Sequence, residues 1–216
     1  MKKFIISIDA GTTSNRAILF DLKSKPVFSS QKEFTQFFPK SGWVEHDPEE
    51  IWKTTKKVLN DTILKAKKLR GKILTIGITN QRETTVLWDK KSGKTVYKAI
   101  VWQDRRQAEY CKKLKKQNKE TIIFNKTGLP IDSYFSGTKI KWILDNVPSA
   151  RKLMNKKQLL FGTIDSFLIS RLTKGKVHAT DETNASRTMI YNISTNNRDD
   201  TILNILKIKK HILPEV

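Results

Sequence analysis

The amino-terminal stretch constrains the fold more than any later segment. Phe4-Ile-Ile-Ser-Ile8 is an apolar, β-branched run that stops at Asp9. Asp9-Ala-Gly-Thr-Thr-Ser14 supplies a turn, and Ala17-Ile-Leu-Phe-Asp21 returns as a second run. Lys25-Pro26 marks another turn, and Val27 to Phe34 reads as a third strand. A chain that opens this way builds a meander of three antiparallel strands. A helix start follows: Asp47 is placed to N-cap, Pro48 takes the first helical position and Glu50 completes a capping box. Trp52, Leu59 and Ile63 recur near helical spacing, widened by Ile51, Val58 and Leu64, and Gly71 marks the stop.

Further along, Ile73 to Thr79 reads as a buried strand. Thr85 to Trp88 and Val96 to Val101 read as a hairpin around Lys91-Ser-Gly93. Helical patterns cover Asp104 to Lys116, Lys139 to Asn146 and Ile164 to Leu172. Three meander strands followed by alternating helices and strands predict an α/β domain with a mixed sheet. No repeat or flexible linker interrupts the chain, so a single domain is expected over residues 1–216.

Composition narrows the function classes. Hydrophobic residues at 38% and charged residues at 29% belong to a globular chain, and no apolar run reaches the roughly 20 residues of a spanning helix. The apolar stretch after Lys2 and Lys3 is cut off by Asp9, too soon for a secretory leader. A single cysteine, Cys111, excludes an intrachain disulfide and fits a reducing, cytoplasmic setting. The net charge of +21 raises nucleic-acid binding as an alternative. Lysines supply most of it, against only nine arginines, and they are scattered over helices and turns. That distribution favours a solvated basic surface, because nucleic-acid readers lean on arginine forks and aromatic stacking.

The first turn carries the first candidate chemistry. Gly11 lets the backbone bend tightly and brings peptide N–H groups close to a phosphate. Thr12, Thr13 and Ser14 add hydroxyl donors, Arg16 adds a fixed positive charge, and Asp9 is placed to hold Mg²⁺ directly or through water. The turn is no Walker A loop, since it lacks that pattern and leads into a strand. By itself the string also suits an ordinary hairpin turn.

A second candidate, Asn80-Gln-Arg-Glu-Thr-Thr85, follows directly on a strand, where α/β proteins place ligand groups. Arg82 offers a forked donor and the adjacent Glu83 an ionised acceptor, the pair that the vicinal hydroxyls of a polyol require. Spacing alone equally allows a surface ion pair. Trp102 can wall off a short carbon backbone, and Tyr134 can lend a hydroxyl from the turn-rich stretch Asp132 to Thr138. Trp102 and Phe135 equally suit a core.

Taken in order, these strings resemble glycerol kinases of the FGGY carbohydrate kinase family, from Met1 to the last residue. The matching strings are Asp9 to Ser14, Gly42-Trp-Val-Glu-His-Asp-Pro48, Gly77 to Thr85 and Trp102-Gln-Asp-Arg-Arg106. Tyr134-Phe-Ser-Gly-Thr-Lys139, Phe161-Gly-Thr-Ile-Asp165 and Thr180-Asp-Glu-Thr-Asn-Ala-Ser-Arg-Thr188 continue the series. The resemblance implies a ribonuclease H-like, actin-like ATPase domain with a mixed sheet, and ATP and Mg²⁺ as cofactors. It implies glycerol hydroxyls on Arg82, Glu83 and Tyr134, with Trp102 lining their pocket. Thr12, Thr13, Ser14 and Arg16 would then contact nucleotide phosphates, and Asp9 would serve the metal. The implied reaction gives sn-glycerol 3-phosphate and ADP. Two positions depart from the family pattern. Ala10 stands where Gln is common, and Arg198 stands where Trp is frequent, which predicts looser packing there.

Glycerol kinases continue well past the segment matching Leu213-Pro-Glu-Val216. The resemblance therefore implies that the general-base aspartate, the final strands of the domain and the second, ATP-binding domain lie outside this chain. The expectation is a kinase segment inactive alone, either a gene fragment or one part of a split enzyme that works with a complementary chain. A non-catalytic polyol- or phosphate-binding module and a basic nucleic-acid binder are the alternatives, and no membrane partner is expected.

Overall fold

A computed structural model describes residues 2–216. The described chain forms two compact units: the first runs up to Gln36 and resumes with His46–Gln81, and the second holds Phe37–Glu45 and Arg82–Val216.

The first unit is built on the meander expected from the sequence. Strand β1 (Lys2–Ala10) pairs antiparallel with β2 (Ser14–Asp21), which pairs antiparallel with β3 (Pro26–Glu33). Two short strands follow, β4 (Gln36–Phe37) and β5 (Glu45–His46), at which the chain leaves the first unit and returns. Helix α1 (Pro48–Lys68) then leads to β6 (Gly71–Asn80), which lies parallel to β1, so the sheet is mixed with strand order β3-β2-β1-β6. Alternation along β1 buries Phe4, Ile6, Ile8 and Ala10 on one face.

Helix α1 starts where its sequence predicts, but the expected capping box does not form, because the Glu50 carboxylate turns to Thr35 instead of the Asp47 N–H. Asp47 has extended backbone, its Oδ1 accepts from the Glu49 N–H at 2.8 Å, and Pro48 opens the helix. Glu49 and Glu50 occupy the first turn and Lys65, Lys67 and Lys68 the last, matching the helix dipole at both ends. The Glu50 carboxylate accepts from Thr35 Oγ1 at 3.2 Å. The buried stripe differs from the apolar spacing: Ile51, Thr54, Thr55, Val58, Leu59, Thr62 and Ala66 face inward, while Leu64 is exposed. Threonine serves there because its hydroxyl can bond back along the helix. Thr54 Oγ1 donates to Glu50 O and Thr62 Oγ1 to Val58 O, both at 2.8 Å.

Two further differences concern β6. The apolar run Ile73 to Thr79 predicts a buried strand, yet β6 is the edge of its sheet, with Leu74 and Ile76 exposed. A short apolar run reports strand character and leaves the covering of its faces open. Gly71 is the first residue of β6, and the left-handed residue that ends the helix is Arg70, at φ 51°. Glycine is needed at 71 for space: a Cβ there would lie 2.1 Å from the Phe4 ring.

The second unit joins short sheets and helices around one core. β7 (Val86–Asp89) and β8 (Ala99–Ile100) flank the expected turn, with Gly93 N bonded to Asp89 O at 2.8 Å and Val96 N to Leu87 O at 3.0 Å. Helices α2 (Ala108–Lys116), α3 (Glu120–Thr127), α4 (Ser136–Asn146) and α5 (Pro148–Asn155) follow. Strand β9 (Leu159–Gly162) pairs antiparallel with β7 and runs into α6 (Ile164–Leu172). The remainder holds α7 (Glu182–Ala185), the small hairpin β10 (Tyr191–Asn192) and β11 (Asn197–Arg198), and α8 (Asp200–Leu206). Leu87, Ile100, Ile123, Ile140, Phe161 and Ile202 are core residues of this unit. Among the described residues no helix is long and apolar enough to cross a membrane.

Arg198 corrects one packing expectation. It is 7% exposed and packed, with its guanidinium over the Tyr191 ring at 5.8 Å and Nη2 donating to Pro214 O at 3.4 Å. Burial pushes its pKa down to about 10.

Candidate functional site

In the first unit the turn between β1 and β2 holds Gly11, Thr12 and Thr13, and Ser14 opens β2. Gly11 N donates to Ser14 O at 3.0 Å, and a Cβ on Gly11 would crowd that same oxygen at 3.1 Å. The glycine is therefore required by closeness of approach. Asp9 and Arg16 face each other across the β1–β2 pair, and both are exposed. Gln31 on β3 fixes two of the candidate phosphate ligands. Its Oε1 accepts from Arg16 Nε at 3.0 Å, and its Nε2 donates to Ser14 Oγ at 2.9 Å.

A buried polar relay supports the same turn. Gln81 Nε2 donates to Gly11 O at 3.0 Å and contacts His46 Nδ1 at 3.3 Å, while His46 Nε2 lies 2.6 Å from Gln36 Oε1. An amide oxygen only accepts, so Nε2 of His46 carries the proton and Nδ1 takes the bond from Gln81. That arrangement needs a neutral ring. Burial supplies it, pushing the His46 pKa down to about 4.

Mg²⁺ usually takes one or two protein carboxylates and fills its shell with water and phosphate oxygens. Asp9 at the turn suits that demand, as an exposed carboxylate beside hydroxyl and peptide donors. Among the described residues no cluster of three or more His, Cys, Asp or Glu forms an all-protein metal cage.

The second unit brings Arg82, Glu83, Trp102 and Tyr134 around one cavity of about 350 Å³. Arg187 is the fifth lining residue. Its Nε donates to Glu83 Oε1 at 2.7 Å, and its guanidinium lies over the Tyr134 and Phe135 rings at 5.7 and 5.1 Å. The Glu83 carboxylate is thus buried yet paired, which offsets the cost of removing it from water. Trp102 and Tyr134 meet edge to face at 5.6 Å and give the cavity an aromatic wall. Sequence reasoning had not assigned Arg187 to the site, although the string Asn184-Ala-Ser-Arg-Thr188 carried it. Phe135, at 5% exposure, is core.

The backbone at Glu83 is held in an unusual conformation. Its φ is 64°, and Thr84 N bonds back to Arg82 O at 2.8 Å, a three-residue γ-turn. Such a turn costs free energy and persists where neighbours enforce it. Here the hydroxyls of Ser136 and Thr85 both donate to Glu83 O, at 3.0 and 3.2 Å. The turn presents Arg82 to solvent and tucks Glu83 in, so adjacent residues contribute different characters to one pocket.

Other strings from the sequence turn out to support the site's surroundings. Arg106 Nη2 bridges Asp104 at 2.7 Å and Glu45 at 2.8 Å, its guanidinium stacks 3.8 Å from the Trp43 ring, and Asp104 Oδ2 also accepts from Val44 N at 2.7 Å. Burial works against the Arg106 cation, but its bonds to Asp104 and Glu45 outweigh it and raise the pKa. Trp43, Val44 and Glu45 are therefore tied to Asp104 and Arg106 through buried charge. Asp165 in the same way accepts from Thr180 Oγ1 at 2.6 Å and from Thr163, and burial raises its pKa.

Comparison with known proteins bears on this geometry. Residues 4–216 match the sequence profile of the FGGY family of carbohydrate kinases, N-terminal domain. A glycerol kinase from Alkaliphilus metalliredigens is 58% identical over 216 residues, covering 100% of this chain and 43% of the relative. A glycerol kinase from Malacoplasma penetrans is also 58% identical, over 215 residues, with 42% of its own length covered. The crystal structure of Plasmodium falciparum glycerol kinase with ADP superposes with a TM-score of 0.94 at 37% identity, covering 99% of this chain and 43% of that one. Gluconate kinase from Lactobacillus acidophilus superposes with a TM-score of 0.87 at 30% identity, over 100% of this chain and 42% of its own. These neighbours bear out the expected actin-like α/β fold with a mixed sheet. The chain spans less than half the length of the relatives it matches.

Proposed function

Because the chain belongs to the FGGY family of carbohydrate kinases, we propose that it is the glycerol-binding segment of an ATP-dependent glycerol kinase. The observation that carries this reading is the convergence of Arg82, Glu83, Trp102, Tyr134 and Arg187 on one small cavity. Arg82 donates to a hydroxyl oxygen, and the Glu83 oxygen left over by Arg187 accepts a hydroxyl proton. Tyr134 adds a third polar contact, while the Trp102 face covers the C–H side of a three-carbon chain. A hydroxyl both donates and accepts, so an Arg–Glu pair holds a vicinal diol better than either residue alone.

The turn at Gly11 to Ser14, with Arg16, takes the phosphate oxygens of the nucleotide, and Asp9 serves Mg²⁺. When bound, Mg²⁺ neutralises charge on the transferred phosphoryl group. What these residues contribute is an anion cradle in the first unit and an alcohol site in the second, each preformed within its own unit. The whole reaction, giving sn-glycerol 3-phosphate and ADP, is assigned to an assembly that also holds the portion of the relatives' length not matched here. That portion includes the proton acceptor for the attacking hydroxyl. A cytoplasmic location belongs to the same reading, as does a complementary chain as partner.

Calorimetry with glycerol tests the reading. Saturable binding by the chain, lost in Arg82→Ala, is the expected result, together with glycerol- and ATP-dependent turnover only after the complementary portion is supplied. Absence of glycerol binding by a folded chain would overturn it. Binding without turnover in a well-folded pair would leave a polyol-binding module. Strong, salt-sensitive retention on DNA or RNA would favour the basic surface as the functional feature.

A further inference from the structure

Lys139 is the most unusual charged residue of the second unit. It sits one turn into α4, is 0% exposed, and is among the largest fully buried side chains. Two general costs oppose a cation there, since burial strips its hydration and the N-terminal end of a helix carries positive potential. Both are tolerated because three carbonyl oxygens converge on its Nζ. Ser133 O accepts at 2.7 Å, Phe135 O at 3.4 Å, and Tyr134 O lies closer still.

From this geometry we infer that Lys139 is a positioning residue for the polyol pocket, its ammonium clamping the backbone of Ser133, Tyr134 and Phe135 so that the Tyr134 ring stays against Trp102. The inference rests on the reading of that pocket as a glycerol site. An ammonium has three N–H donors and no lone pair, so it satisfies three carbonyls at once. A neutral amine has two donors and a lone pair that repels the third oxygen, so deprotonation loosens the loop. Other ties of the loop include the Arg187 guanidinium over the Tyr134 and Phe135 rings and two polar bonds. Asp132 Oδ1 accepts from Tyr134 N at 2.8 Å, and Ser136 Oγ reaches Glu83 O at 3.0 Å. That last bond makes the clamp felt at the strained Glu83 turn as well as at Tyr134.

The clamp is poised to titrate. Burial pushes the Lys139 pKa down to about 7, against the carboxylates of Asp104, Glu83 and Asp132, which raise it. Cys111, which faces the same amine, has its own pKa pushed up to about 11 by burial and does not change charge in that range.

The experiment follows glycerol affinity by calorimetry and the backbone amide resonances of residues 133–136 by NMR, on the full chain between pH 6 and pH 9. The expected result is one midpoint near pH 7 in both, with glycerol bound roughly tenfold more weakly at the alkaline end, the scale of one charge-assisted hydrogen bond. Lys139→Met should bind glycerol weakly and without the pH step. Arg82→Ala should lose glycerol yet keep the amide titration, which separates the clamp from the pocket's occupant. An unmodified chain whose loop amides titrate but which never binds glycerol supports the clamp and sinks the glycerol reading. Loop amides and affinity that stay flat from pH 6 to pH 9 overturn the inference, and that measurement needs no variant to fold. A folded Lys139→Met with unchanged affinity overturns it equally.

Discussion

His46 offers the sharpest test of how the phosphate turn is supported. Its ring is fully buried and accepts from Gln81, which in turn holds Gly11 O. The folded-state pKa of about 4 lies below the roughly 6.5 of an unfolded histidine, so the unfolded chain takes up the proton first. Stability from this group is complete above about pH 6.5 and drains away as pH falls toward the folded value. Evaluating the two titrations gives a loss of about 2 kcal/mol at pH 5 and about 3 kcal/mol at pH 4, relative to pH 7.5. Carboxylates also respond to acid, so the quantity to measure is a difference. His46→Gln keeps a donor and an acceptor but cannot titrate, and every carboxylate contribution cancels between the two chains. Urea unfolding followed at the Ile6 and Ile8 methyl resonances reports the unit that contains His46. The two stability curves should converge or cross by about 2 kcal/mol between pH 7.5 and pH 5. Curves that stay parallel over that range would refute a buried neutral His46.

Three other outcomes follow from particular contacts. Gly71→Ala forces a Cβ into the Phe4 ring and should cost about 1–3 kcal/mol by the same urea assay, whereas an unchanged midpoint would show that the ring can move aside. The Cys111 thiol is buried and its pKa is raised to about 11, so native labelling at pH 8 should run roughly a hundredfold slower than in urea; equal rates would contradict its burial. Arg187→Met leaves the buried Glu83 carboxylate without its cation. Glycerol binding should weaken about tenfold or more, read by calorimetry. Unchanged affinity would remove Arg187 from the site.

Local patterns in the sequence carried the elements whose own residues decide them. The β1–β3 meander was legible because alternation and Gly- or Pro-marked turns define it, and α1 because Asp47 and Pro48 define its start. Helix α6 matched its expected bounds, bracketed by Thr163 and Thr173. Helices α3 and α5 and strand β9 were not read: each is short, and α3 has little apolar asymmetry to betray a buried face. The threonine-lined face of α1 was invisible to hydrophobic spacing because threonine counts as polar, although Thr54 and Thr62 bond their hydroxyls back along the helix. Helix α2 starts at Ala108, later than expected, because Asp104 is committed to Arg106 and Val44.

At the site, the adjacent Arg82 and Glu83 were legible as a complementary pair, and Trp102 and Tyr134 as aromatic lining. Their meeting in one cavity depends on contacts far apart in sequence. Arg187 reaches Glu83 across 104 positions, and no spacing rule signals such a partner. Lys139 was hidden for another reason, since a lysine in a lysine-rich chain reads as surface until its burial is seen.

The most direct measurement uses transferred nuclear Overhauser effects between isotope-labelled glycerol and the aromatic protons of the chain. Cross-peaks to the Trp102 indole and the Tyr134 ring, both abolished in Arg82→Ala, are the predicted result. Glycerol that touches neither ring, or touches them equally in Arg82→Ala, would contradict a polyol held between the Arg82–Glu83 pair and the aromatic wall.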